Sequence, residues 1–152
     1  MILKGIINQL VEKKLEGTDG FLVSLTVDAD NSIVVEIDSD SSVDLNFCAE
    51  LSRFVEENLD REKEDFSLEV GSYGISRPFV LPRQYSKNVG KDIEILTKDG
   101  KKIRGVLNGV YHEYFSLETE KMMKEEGKKR KVKVNETVNF GYDDVKYTKL
   151  YF

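Results

Sequence analysis

The stretch LEVGSYGISRP, Leu68 to Pro78, decides how the 152-residue chain is divided. Its first residues, with Phe66 and Ser67 before them, read as a strand. Gly71-Ser72-Tyr73-Gly74 then reads as a turn. Arg77 stands before Pro78, one of only two prolines in the chain, the other being Pro82. A residue before proline is held extended. Three readings compete: a phosphate-binding glycine loop, a catalytic turn, and a junction between two domains. A phosphate loop needs G-x-G-x-x-G between strand and helix, or a Lys-Ser/Thr after the glycines, so that amides and a helix N-terminus face the anion. Gly71 and Gly74 are too few, and Pro82 argues against a long helix soon after. A nucleophile elbow needs G-x-S-x-G, and Ser72 does not sit in one. The junction fits best: Gly74 turns the chain and the Arg77-Pro78 pair carries it onward. The expected division is an acidic domain over residues 1–82 and a basic one over residues 83–152.

Upstream of the junction the periodicities alternate. Ile2, Leu3, Ile6, Ile7, Leu10, Val11 and Leu15 recur at three- and four-residue spacing, the stripe of an amphipathic helix that Gly17 stops. Phe21, Val23, Leu25 and Val27 alternate, Asp28-Ala29-Asp30-Asn31 is turn-like, and Ile33, Val35 and Ile37 alternate again, predicting a β-hairpin. A second helix runs from an N-cap at Asp44 or Asn46 to Leu59, with Phe47, Leu51, Phe54, Val55 and Leu59 on its buried stripe. Cys48, beside Phe47, reads as a small core residue. With the strand Phe66–Val70, the first domain is α-β-β-α-β.

Downstream, Leu81–Asn88 has no clean period and reads as a linker. After it only strands are expected. Asp92–Thr97 leads into Asp99-Gly100, the strongest hairpin signal in the chain. Lys102–Tyr111, Tyr114–Glu120, Lys131–Asn139 and Val145–Phe152 complete five short strands. Met122–Lys131 reads as a charged loop and Phe140–Asp144 as a short 3₁₀ turn. Gly105 and Gly109 lie where a strand must bend or bulge. Five strands in so short a span predict a small SH3-like (Sm-like) β-barrel, giving an α+β chain overall.

Composition narrows the chemistry. One cysteine and one histidine, His112, cannot assemble a thiolate or imidazole zinc site, and no intrachain disulfide can form. Asp28, Asp30, Asp38 and Asp40 lack the spacing of an EF-hand loop and read as solvated turn carboxylates. Nothing assembles a nucleophile, a base and an oxyanion hole, so no catalytic residue, cofactor or metal is expected. The N-terminal helix has internal charges and no small-residue cleavage site, so it is not read as a signal peptide. No apolar run approaches the roughly 18 residues of a membrane span. The expected setting is the cytoplasm.

The net charge of −5 is unevenly spread. Residues 1–85 carry 8 Lys+Arg against 17 Asp+Glu, and residues 86–152 carry 15 against 11. The acidic part favours a basic protein and the basic part favours phosphate. Lys128, Lys129, Arg130 and Lys131 form a basic run, with Lys133 beyond it. On a hairpin tip these side chains reach nucleic-acid phosphates, and Tyr111, Tyr114 and Phe115 supply candidate stacking faces. The bland alternative is a solvated loop neutralised by Glu120, Glu125 and Glu126.

Taken together, these features resemble the ribosome maturation factor RimP family. Val35-Glu36-Ile37-Asp38 is similar to that family's second-strand ending, and Phe47-Cys48-Ala49-Glu50-Leu51-Ser52-Arg53 to its second-helix core. Phe66–Val70 is similar to its third strand. The family's turn reads Ser-Ser-Pro-Gly, followed two residues later by Arg-Pro-Leu. Ser72, Gly74, Arg77 and Pro78 match it; Gly71, Tyr73 and Phe79 depart from it. Loss of the turn proline removes a fixed φ, and Gly71 loosens the entry to the turn.

The resemblance implies a non-catalytic bacterial factor, monomeric, that binds the immature small (30S) ribosomal subunit and promotes its maturation. The implied partners are ribosomal RNA and a basic small-subunit ribosomal protein, with no membrane. Glu69, Ser72, Gly74, Arg77 and Pro78 then form the motif turn and domain junction. Arg77 has three assignments on this reading: contact with RNA, pairing with Glu69, or fixing the junction. Two other functions stand beside it, an Sm-like RNA-binding module that assembles into a ring through open strand edges, and a protein-only adaptor whose barrel grips a peptide. The absence of tryptophan weighs against the adaptor.

Overall fold

The structure, a computed structural model, describes residues 1–124, 127 and 131–152. The chain divides into two compact units, Met1–Gly74 and Ile75–Phe152.

The first unit is α1 (Lys4–Leu15), β1 (Gly20–Val27), β2 (Ser32–Ser39), α2 (Leu45–Glu57) and β3 (Ser67–Ser72), the order expected. Its sheet runs β1-β2-β3. β2 is antiparallel to β1 and parallel to β3, so α2 is the crossover that a parallel pair requires. Asp44 is the N-cap of α2: its carboxylate accepts from the Asn46 amide at 2.8 Å. Ile7, Val11 and Leu15 of α1, Leu51 and Val55 of α2, and Ile33, Val35 and Ile37 of β2 make the core. Three of the predicted positions differ. Leu3 and Ile6 are exposed, so the stripe of α1 is narrower than its sequence pattern. β1 does not alternate throughout: a bulge between Leu22 and Ser24 brings Leu22 and Leu25 onto the same core. β3 continues through Ser72, because Gly71 and Ser72 pair with Glu36 and Ile37.

The second unit is α3 (Pro82–Lys87), β4 (Asp92–Thr97), β5 (Lys102–Val110), β6 (Tyr114–Lys124), β7 (Lys131–Gly141), a 3₁₀ turn at Tyr142–Asp144, and β8 (Val145–Leu150). The five strands form one antiparallel sheet in the order β7-β6-β5-β4-β8. Its edges are β7 and β8; among the described residues no pairing joins them, and a closed barrel is not formed. Ile93, Ile95, Leu107, Phe115 and Leu117 are fully buried in its core, and Tyr85 packs on them from α3. Rings pack there edge-on or tilted, with centroids 4.9 Å apart for Tyr85–Phe115 and 5.1 Å for Tyr85–Tyr142.

Two predictions give way here. Leu81–Asn88 is a helix rather than a linker. It shows no apolar period because it needs none. Pro82 starts it, and the Gln84 side chain accepts from the Val80 and Leu81 amides at 2.6 and 3.0 Å. The Asn88 side-chain Nδ2 donates to the Gln84 carbonyl at 2.7 Å, and Tyr85 supplies the apolar anchor. Met122–Lys131 is not all loop: β6 and β7 stay in register out to the Lys124–Lys131 pair. β5 carries the bulge anticipated at its glycines, between Leu107 and Gly109. Gly105 serves a different purpose: a Cβ there would lie 2.5 Å from the Glu118 carbonyl oxygen, so two backbones meet over it. Among the described residues no helix is long and apolar enough to cross a membrane.

Candidate functional site

The opening stretch ends one unit and begins the other. The Tyr73 amide donates to the Ile37 carbonyl at 2.8 Å, extending the β2–β3 ladder by one residue. Tyr73 is buried, in the place where the family pattern has proline. Gly74 has φ +92°, a conformation that side chains disfavour. Glu69 and Ser72 are exposed on β3, opposite Val34 and Ile37 of β2. Arg77 and Pro78 are exposed. The Phe79 amide then donates to the Thr148 carbonyl at 2.7 Å, which ties the incoming chain to β8.

Of the basic run, Lys128, Lys129 and Arg130 lie outside the described residues. Lys131 opens β7 opposite Lys124. Lys133 is exposed and lies 3.6 Å from Glu120, an ion pair held largely in water. Tyr111 and Tyr114 are exposed and stack on each other, centroids 4.7 Å apart. Phe115 is fully buried in the core and offers no stacking face. His112 is exposed beside that pair. Cys48 is buried, and burial together with the Asp44 carboxylate pushes its thiol above the usual range. Asp30 accepts from the Ser32 amide at 3.2 Å within the β1–β2 turn. Among the described residues no group of three metal-ligating side chains occurs.

A second constellation was not anticipated. On the face of the sheet opposite Ile93 and Ile95, Glu94 of β4 lies between Arg104 of β5 and Lys149 of β8, its partners in register. Glu94 is only 5% exposed. Its carboxylate accepts from Arg104 Nε at 3.1 Å and from the Tyr147 hydroxyl at 3.1 Å, with Lys149 Nζ at 3.7 Å. These donors hold it ionised: its pKa is lowered chiefly by the Arg104 hydrogen bond, with Tyr147, the Arg104 charge and the Lys102 charge adding to the effect. The cations also lie on rings. The Arg104 guanidinium carbon is 4.2 Å from the Tyr151 centroid, and Lys149 Nζ is 5.0 Å from that of Tyr147. The visible signal was a glutamate between two isoleucines on β4. What sequence does not give is the register that sets it against residues ten, 53 and 55 positions away.

Charge divides with the units. Met1–Gly74 carries 6 Lys+Arg against 17 Asp+Glu, and Ile75–Phe152 carries 17 against 11.

Comparison with known proteins bears on the whole chain. The family model for the RimP N-terminal domain matches residues 7–76, which span α1 to the turn after β3. A ribosome maturation factor RimP from Porphyromonas gingivalis is 35% identical over 146 residues, 96% of each chain. One from Christiangramia forsetii is 45% identical over 101 residues, 66% of each chain. One from Flavobacterium psychrophilum is 42% identical over 98 residues, 64% of each. The match extends from α1 through the β-sheet of the second unit, and on it this chain belongs to the RimP family of ribosome maturation factors.

Proposed function

We propose that this chain binds the immature small (30S) ribosomal subunit and promotes its maturation without catalysis. The observation that carries the reading is the near-full-length likeness to proteins named ribosome maturation factors. The charge division supports it. A first unit of net charge −11 suits a basic ribosomal protein, and a second of net charge +6 suits ribosomal RNA. Lys128, Lys129, Arg130, Lys131 and Lys133 are the candidate RNA contacts. Glu69, Ser72, Gly74, Arg77 and Pro78 join the units and set the turn. On the same reading the five-stranded second unit is an open relative of the SH3-like fold, and the chain works as a cytoplasmic monomer.

The test is co-sedimentation with purified small-subunit precursors across a salt series. Binding is expected to weaken steeply with ionic strength, and to weaken further on reversing the charge of Lys128, Lys129 and Arg130. Binding that ignores salt defeats the electrostatic account, and a chain that never sediments with precursors defeats the function. Sizing in solution separates this reading from the ring, since an oligomer of barrels pairing at β7 and β8 edges would elute well above a monomer.

A further inference from the structure

The side chains around Glu94 stand outside the apolar core of the second unit, yet they are more closely paired than a solvated surface needs to be. Three cations, Lys102, Arg104 and Lys149, share the face with two carboxylates, Glu94 and Asp92 two positions before it on β4, so these strands carry one net positive charge there. A buried carboxylate is costly unless well paired. Here pairing fixes Arg104 and Lys149 in position while leaving their outer sides open: the Arg104 side chain is 55% exposed and that of Lys149 38%. Tyr151, under the guanidinium, is 42% exposed. A guanidinium stacked on a ring presents a second planar face, and a long cation usually loses entropy when it binds. Both are arranged in advance here.

We infer that this face of β4, β5 and β8 is a single-stranded RNA contact, taking phosphates on Lys102 and Lys149 and stacking a base against the Arg104–Tyr151 pair. The inference deepens the proposed function and rests on it for the identity of the RNA. Flat π surfaces decide for nucleic acid over an acidic peptide, since carboxylates need charge but no stacking plane. The site is separate from Lys131 and Lys133, which pair with Lys124 and Met122 where β6 ends and β7 begins.

The experiment uses the full chain and a fluorescent 12-nucleotide oligouridylate, read by anisotropy across a salt series. Tyr151→Ala and Arg104→Lys are the central variants. Tyr151 is exposed, so its loss leaves the fold intact, and lysine keeps the charge while losing the stacking plane. Each is expected to weaken binding by about 5-fold or more, the lower end of one base–aromatic stack, with the salt slope of Arg104→Lys unchanged. Lys149→Ala is expected to lower that slope by about one. Parent-like affinity in Tyr151→Ala and Arg104→Lys overturns the inference, as does a parent that fails to bind the oligonucleotide. Displacement of the RNA by polyglutamate at matched charge also overturns it and gives the face to an acidic protein. Precursor co-sedimentation of the same variants runs in parallel. Variants that sediment normally but bind RNA as the parent does sink this face alone. A parent that never sediments sinks the function itself.

Discussion

Gly105→Ala puts the packing of the second unit to a direct test. Gly105 faces Ile93 across the β4–β5 ladder, and on its other side the chain of β6 comes unusually close. A methyl group there would stand 2.5 Å from the Glu118 carbonyl oxygen, 3.2 Å from its carbon and 3.0 Å from Leu117 Cγ. Ordinary contact lies near 3.5 Å, so one strand must move by close to 1 Å. The obstacle is backbone inside a hydrogen-bonded ladder and cannot swing aside as a side-chain terminus would. Overpacking costs of about 1–3 kcal/mol are usual, and the upper end applies where backbone must shift. With an m value of about 2 kcal/mol/M, the urea midpoint of the second unit should fall by about 1.5 M. Far-UV circular dichroism gives the midpoint. Hydrogen exchange shows where protection is lost, which should be β5 and β6 and not the Met1–Gly74 unit. Gly20→Ala is the control: its closest neighbour, Leu15 Cδ2 at 3.0 Å, is a flexible side-chain end, and the cost should be about 1 kcal/mol or less. A Gly105→Ala protein within 0.5 M of the parent, or with unchanged β6 protection, would refute the close-approach argument.

Three further outcomes are expected. Tyr85→Phe removes the donor of a buried 2.8 Å bond to Thr148 and leaves that hydroxyl unpaired, costing about 1–3 kcal/mol by urea titration; Tyr85→Phe with Thr148→Val should recover part of the loss, and an additive double mutant would contradict the pairing. Cys48, buried and with its thiol pushed upward, should react with an aromatic disulfide reagent only as fast as the first unit opens; second-order kinetics at the rate of a free thiol in native protein would be incompatible with its burial. Glu94, with its pKa lowered by Arg104, contributes stability that is fully present above its ordinary value near 4.5 and is lost as pH falls through the lower folded value. Glu94→Gln should therefore flatten the acid side of the stability–pH curve, and an unchanged acid limb would remove the carboxylate from that role.

What the sequence disclosed follows from which interactions are local. The α-β-β-α-β order was legible because Ile7, Val11 and Leu15, or Ile33, Val35 and Ile37, announce their period within a few residues. The Asp99-Gly100 hairpin was legible for the same reason, and it is formed, with the Gly100 amide donating to the Thr97 carbonyl at 3.0 Å. α3 was not legible, because Gln84 and Asn88 satisfy its ends through side chains rather than through an apolar stripe. The Glu94 constellation was hidden by distance: its members meet only once β8 has found β4. The extent of β6 and β7 was masked by charge, since Lys124 and Lys131 read as loop residues yet pair in register.

Thr148 makes two attachments, and they govern the order in which the second unit can form. Its carbonyl receives the Phe79 amide and its hydroxyl receives Tyr85, so both the entry to α3 and α3 itself are fastened to β8. A helix of six residues does not hold together alone in water. The Tyr85–Thr148 bond closes a loop of 63 residues, an entropic toll of about 4 kcal/mol before any contact rewards it. The hairpins β4–β5, β5–β6 and β6–β7 need no such closure. Ribbon formation therefore precedes the docking of β8, and α3 gains its shape last. Mutations in α3 should leave the folding rate almost untouched and appear instead as faster unfolding.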